Sequence, residues 1–270
     1  MNSISLVIDN PRSPRVRAVA KLAKRGAREE TGLFLVEGPQ ALREALAFHP
    51  ELIVDVFAAR GVFERHPELS RGLAAAGIEA EQVSDAVVEA MADTVTPQGV
   101  VAVCRQFPVT IKDLLGGGAR LVAILQEVRD PGNAGTIIRA ADAAGADGVI
   151  LTGKSVDAYN PKVVRSTTGS IFHLPLAQGG TLEHALQLVR GAGMRVLAAD
   201  ISGEELPTLR EELARPTAWL FGNEAHGLTD EELALADRAV RVPIYGHAES
   251  MNLATAASVC LYQSAFAQRG

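Results

Sequence analysis

Three separated stretches of the 270-residue chain combine side chains able to hold a polar ligand with glycines that let backbone come close to it. In QEVRDPGNAGTIIR, Asn133 stands where a helix opens, and Arg139 follows six residues on, between one and two turns along. In LFGNEAHGL, Gly222 permits close backbone approach, Asn223 and Glu224 add polar reach, and Gly227 permits a tight exit. In YGHAESMNLATAASVC, a polar turn carries Ser250 and Asn252 into a helix whose first amides and positive dipole end can receive an anion or a polar ligand edge. Each residue also has a plain structural reading: Asn133, Ser250 or Asn252 as an N-cap, Arg139 on a solvated face, Glu224 as a loop carboxylate.

The elements needed to bring these stretches together are legible as alternating strands and helices. From Arg120 onward, RLVAILQEV, a helix through TIIRAADAAGA and GVILTG form a βαβ unit. A helical stretch near 160–169, the helix TLEHALQLVRGAG, and the strands MRVLAADI and TAWLF follow. A last strand ends at Pro243, and a helix opens near Asn252. Leu253, Ala256, Ala257, Cys260, Leu261 and Ser264 give that helix one small, apolar face. All three polar stretches follow strands, where ligands gather in an open α/β sheet. Gly132, Gly135 and Gly145 lack the G-x-G-x-x-G spacing of a dinucleotide fold, which places a nicotinamide oxidoreductase last among the readings.

Before residue 107 a smaller alternation appears: strands at 33–38, 52–59, 78–84 and 99–107, with helices from Pro39, through Ala76 and from Asp85. Pro108 and the run Gly116–Gly118 mark a flexible joint at 108–119. The expected organisation is a domain at 1–107, a linker at 108–119 and a second domain at 120–270. The net charge of −6 argues against a nucleic-acid-binding surface over the whole molecule, yet the first 32 residues are rich in cations. Read as one helix, Arg17, Lys21, Lys24 and Arg28 share a side and form the candidate RNA-binding surface. Cys104 and Cys260 have neither CxxC nor Cys/His spacing, so free buried thiols are expected and no metal site. No run approaches the roughly 18 apolar residues of a membrane span, and the first residues lack signal-peptide features, so the expected location is cytoplasmic.

LQEVRDPGNAGTIIRAADAAGADGVIL, LFGNEAHGL and VPIYGHAESMNLATAASVCLY resemble, in order and spacing, the three motifs of the SpoU/TrmH RNA ribose 2′-O-methyltransferases of the SPOUT superfamily. FLVEGPQALREAL and TPQGVVAV resemble the small α/β substrate-binding domain that many members carry, akin to a ribosomal-protein RNA-binding fold. The resemblance implies an α/β protein whose carboxy-terminal SPOUT domain has a parallel sheet and a deep trefoil knot. It implies a homodimer, S-adenosylmethionine as cofactor, and RNA as substrate, rRNA in preference to tRNA. A SPOUT base methyltransferase and a non-catalytic RNA-binding ribosome-assembly factor are the alternatives.

Carried over by position, the resemblance implies Asn133, Arg139, Glu224, Ser250 and Asn252 as catalytic residues. Leu220, Phe221, Gly222, Val242, Ile244, Met251 and Leu253 are the implied cofactor residues. Asn133 is expected to orient Arg139 or the ribose, and Glu224 to hold the motif loop or to pair with Arg139. The third motif departs from the family's Ser-Leu-Asn-Val-Ser: Ala254 stands where the last hydroxyl is usual. His226 and His247 lie in the motif loops, where a surface role is the expectation.

Overall fold

A computed structural model describes residues 7–270. The chain forms two compact units, one of residues up to Phe107 together with Tyr159–His173, the other of Pro108–Ala158 and Leu174–Gly270.

In the first unit the described elements are α1 (Pro14–Lys21), α2 (Arg25–Thr31), β1 (Leu33–Glu37), α3 (Pro39–Phe48), β2 (Ile53–Ala59), α4 (Val62–Arg65), α5 (Pro67–Ala76), β3 (Ala80–Val83), α6 (Asp85–Met91) and β4 (Val100–Arg105). The sheet order is β1-β4-β2-β3, with β4 antiparallel to both neighbours and β2 parallel to β3. Proline in the first turn of α1, α3 and α5 suits a position whose N–H has no helical partner.

The single basic helix expected from sequence is two helices. Arg28 explains the break, because its Nη1 donates to the carbonyls of Leu22 and Ala23 at 2.8 and 2.9 Å, satisfying the exposed end of α1. Arg28 is therefore buried, 1% exposed, and is removed from the candidate RNA-binding residues. Arg17, Lys21 and Lys24 remain exposed.

The second unit contains α7 (Ile111–Leu115), β5 (Leu121–Gln126), α8 (Pro131–Ala144), β6 (Gly148–Thr152), β7 (Leu176–Gln178), α10 (Leu182–Gly191), β8 (Arg195–Glu205), α11 (Arg210–Leu213), β9 (Thr217–Phe221), α12 (Asp230–Ala234), β10 (Arg238–Arg241) and α13 (Leu253–Arg269). Helix α9 (Pro161–Thr167) lies in the segment that belongs to the first unit. All six strands are parallel, in the order β10-β8-β9-β5-β6-β7. Both faces of a parallel sheet need cover, so β5, β6 and β9 are buried at every position. Val122, Ile124, Ala218 and Leu220 pack toward α7 and α10. On the opposite face Trp219 Nε1 donates to Ser264 Oγ of α13 at 2.9 Å, and Ala257, Cys260 and Leu261 are fully buried. The small apolar face expected of this helix is the one it buries.

Two boundaries differ from the sequence expectation. Residues 108–119 are no loose joint: Thr110 caps α7, Leu114 and Leu115 enter the core of the second unit, and Val109 N donates to Leu176 O at 3.1 Å. Tyr159–His173 joins the first unit because Tyr159 and Phe172 cluster with Phe34 and Phe107, and Tyr159 accepts from the Phe107 amide at 3.0 Å. Cys104 and Cys260 are free and buried, and burial pushes both thiols up to about 12. Among the described residues, no helix is long and apolar enough to cross a membrane.

Candidate active site

Strand order brings the first two polar stretches together. β5 and β9 are adjacent and parallel, Leu125 opposite Phe221, so the loops leaving them start side by side. Chain order reverses here: β6 and β7 lie to one side of β5, β9 and β8 to the other, the kind of switch point where α/β sheets bind ligands.

Asp130 opens α8, its Oδ1 accepting from the Asn133 amide at 2.8 Å, with Pro131 next. This corrects the reading of Asn133 as the cap. The signal was present in the Asp-Pro pair, which suits an N-cap followed by the first helical residue. Asn133 is thereby placed in the first turn with its side-chain amide available. Nδ2 donates to Glu224 Oε1 at 3.4 Å, and Oδ1 accepts from Asn252 Nδ2 at 3.0 Å. One side chain thus joins all three polar stretches.

Glu224 is fixed from the other side. Its two carboxylate oxygens accept from the amides of Arg129 and Asp130 at 3.1 and 3.0 Å. It therefore holds the first loop rather than forming an ion pair with Arg139. Asn223 adds a second clamp, donating to Glu127 O at 2.8 Å while its Oδ1 accepts from Ala225 N at 2.9 Å. Glu127 has a left-handed φ of 53°, uncommon for a residue with a side chain. Its carboxylate binds Arg129 at 2.8 Å, and that hydrogen bond holds its pKa below the ordinary value. The Glu127 turn had no signature in the sequence, which lacks the glycine or asparagine expected there.

Gly222 is required by the loop's own closure. Asn223 and Gly227 exchange backbone hydrogen bonds at 3.1 and 2.9 Å, and a Cβ on Gly222 would stand 2.5 Å from the Gly227 carbonyl carbon. The third stretch ends in Asn252, which caps α13 by accepting from Ala254 and Thr255 amides at 2.9 and 3.2 Å. The structural and functional readings of Asn252 therefore both hold, because its oxygen serves the helix and its nitrogen serves Asn133. The strand before it ends at Arg241, not at Pro243.

A cavity of ≈ 370 Å³ opens between the second and third stretches. Val242, Ile244, Met251 and Leu253 line it, with Glu224 and Ser250 at its wall. Leu220 and Phe221 do not line it: both are 0% exposed within β9, Leu220 toward α10 and Phe221 stacked beside Trp219. Gly222 acts through loop closure instead. Asp200 was missed by sequence reasoning. It sits in the cavity wall beyond the buried part of β8, with Oδ1 held by the Ser202 amide and hydroxyl. Apolar walls, a carboxylate and loop backbone suit a ligand that joins a flat ring, hydroxyl groups and a positive charge, and the volume is in the ordinary range for small ligands. S-adenosylmethionine has those parts.

Arg139 is exposed on α8 and makes no hydrogen bond or ion pair among the described residues. Six residues of helix place it about 120° round the axis from Asn133, so α8 alone does not bring the two side chains together. Ser250 is exposed, as are His226 and His247. Among the described residues no group of three or more His, Cys, Asp or Glu could hold a metal ion.

Residues 120–262 match the model of the SpoU rRNA Methylase family, and residues 13–102 that of the MRM3-like substrate binding domain. The chain belongs to the SpoU rRNA methylase family. It is 31% identical to the 23S rRNA (guanosine(2553)-2'-O)-methyltransferase RlmP of Bacillus subtilis, over 94% of this chain and 97% of that protein. It is 32% identical to the 23S rRNA (uridine(2479)-2'-O)-methyltransferase of Streptomyces viridochromogenes, over 91% and 86%. Among solved structures, an AdoMet-bound rRNA methyltransferase from Sinorhizobium meliloti superposes with a TM-score of 0.80 at 30% identity, covering 95% of this chain and 96% of that one. The two family matches fall on different parts of the chain, the substrate-binding model before residue 107 and the SpoU model from residue 120 onward.

Proposed function

We infer that this S-adenosylmethionine-dependent RNA 2′-O-methyltransferase, acting on rRNA, assembles its active site around Asn133. The observation carrying this reading is the pair of hydrogen bonds from that one side chain to Glu224 and Asn252. When bound in the cavity beside Ser250 and Met251, S-adenosylmethionine supplies an activated methyl group on a positively charged sulfur. What remains for the protein is alignment of the ribose hydroxyl and care of its proton.

Arg139 takes the second task. A guanidinium stays protonated near neutrality, so it serves as a donor: it grips the phosphate next to the target ribose and stabilises developing alkoxide. The hydroxyl proton passes to that phosphate or to water. Asn133, Glu224 and Asn252 keep the loops in register, and Ser250 orients the ribose from the cavity edge. Val242, Ile244, Met251 and Leu253 hold the cofactor, and Gly222 keeps the loop beside them closed.

A homodimer is part of this reading. Tyr262 and Phe266 project from α13, 37% and 63% exposed, with ring centroids 5.6 Å apart beside the C-terminal end of α8. A second copy covering that face would put the active site beside the interface. The carboxy-terminal trefoil knot, a cytoplasmic location and an RNA grip through Arg17, Lys21 and Lys24 complete the reading.

Transfer of a tritiated methyl group to total RNA, followed by nucleoside analysis, tests it. The expected product is a 2′-O-methyl nucleoside in rRNA. Label in tRNA would move the substrate, a methylated base would change the reaction, and absence of label would leave an RNA-binding protein without turnover.

A further inference from the structure

A second cavity, of ≈ 360 Å³, lies in the first unit, between the end of β1, the first turn of α3, residues 92–98 and α9. Glu37 lines it with a side chain only 5% exposed. One carboxylate oxygen accepts from Arg165 Nη1 at 2.9 Å and from the Asp93 amide at 3.3 Å. The other oxygen is buried and has no hydrogen-bond partner among the described residues. Burial, opposed by Arg165, holds this carboxyl above the ordinary carboxylate range. A buried acceptor left without a donor is unusual in a folded protein and points to a partner outside the chain.

The same cavity contains complementary donors. Gly38 caps the ten-residue α3 and offers no side chain to its first amides, and Gln40 and Ala41 of that first turn line the cavity. Ala41, Pro97 and Val101 give apolar wall on which a flat ring can rest. Glu37 and Asp93 outnumber Arg165, which disfavours a phosphate and favours a neutral group rich in N–H donors. Among the groups RNA presents, the guanine edge fits: two neighbouring N–H donors beside a carbonyl oxygen.

We propose that this cavity receives an unstacked guanine of the RNA substrate, Glu37 accepting from its N1–H and N2–H₂ edge while the first turn of α3 donates to O6. It rests on the reading that the first unit holds RNA.

The test uses the full chain and fragments of 23S rRNA transcribed with 6-thioguanosine or with 4-thiouridine, crosslinked by light and mapped to peptides. The expected adduct forms from 6-thioguanosine, not 4-thiouridine, on residues 38–41 or 92–98. It falls at least about tenfold in Glu37→Gln, which replaces the free acceptor, and in Gln98→Trp, which fills the mouth of the cavity, with S-adenosylmethionine affinity unchanged. Gln98 is exposed, so its variant decides the matter even if Glu37→Gln fails to fold. Adducts elsewhere on the first unit, insensitive to both variants, overturn the cavity assignment but leave the RNA reading standing. Absence of any adduct on that unit removes both. Saturable binding of guanosine monophosphate there without an RNA adduct assigns the cavity to a free nucleotide and overturns the proposal.

Discussion

Asn252 donates a hydrogen bond to Asn133 at 3.0 Å, joining residues 119 apart in the chain. Neither side chain has freedom to reorient: the oxygen of Asn252 is committed to two helix amides, and Asn133 is also bonded to Glu224. The two asparagines therefore act as one positioning unit.

Asn133→Ala should lower kcat by about 10²-fold, because a small displacement at a reacting centre is costly, while leaving S-adenosylmethionine affinity within about threefold. Asn252→Ala should do the same, and the double variant should lose less than the sum of the two, with a coupling of about 1 kcal/mol or more. Steady-state kinetics with a double-mutant cycle measures this; strict additivity would separate the pair.

Gly222→Ala places a methyl group against the Gly227 backbone, so the loop must open. The expected result is at least about a tenfold loss of S-adenosylmethionine affinity by calorimetry, since the strained loop borders the cavity. Unchanged affinity would mean that this turn is not part of the cofactor site.

Neutralising Arg17, Lys21 and Lys24 together should reduce the salt slope of RNA binding by about 2, from the counterions released per phosphate contact. Arg28→Ala should leave the slope alone and destabilise the first unit by about 1–3 kcal/mol, by orphaning the carbonyls of Leu22 and Ala23. Filter binding over a salt series and chemical denaturation distinguish the two effects.

Asp237 ties the start of β10 to its neighbours, accepting from the Val196 amide at 2.8 Å and from Arg190. Burial pushes its pKa up, but those hydrogen bonds and the Arg190 charge outweigh it, and the net shift is downward. A carboxyl with a lowered folded pKa contributes stability above its unfolded pKa, about 3.9, and loses that contribution as pH falls through the folded value. Asp237→Asn should therefore cost about 1–2 kcal/mol at neutral pH, with the gap to wild type closing in acid as pH falls through the lowered folded value. Urea denaturation across pH tests this, and a gap that persists in acid would refute it.

Much of the fold was legible where local signals agree. Pro39 in the first turn marked α3, and the buried face of α13 followed from its small residues. Signals failed where distant contacts decide. The glycine run at 116–118 read as a joint, yet Leu114 and Leu115 anchor the preceding turn in the core. Helix-forming residues across 17–28 hid a break that Arg28 caps. Leu220 and Phe221 border the second motif in sequence, but a strand covered on both faces leaves them no route to a ligand. In the site, the polar residue types were readable from the motifs, whereas the role of Asn133 depended on Asp130 taking the cap.

The central claim is that the Asn133 cluster and Arg139 serve a single transfer to a ribose hydroxyl. Single-turnover methylation of rRNA by Arg139→Ala, with S-adenosylmethionine and RNA affinities measured alongside, addresses it most directly. Loss of at least about 10²-fold in the chemical rate, with both affinities within about threefold of wild type, is the predicted result, as for removal of a transition-state donor. Full-rate formation of 2′-O-methyl nucleoside by this variant would contradict the account.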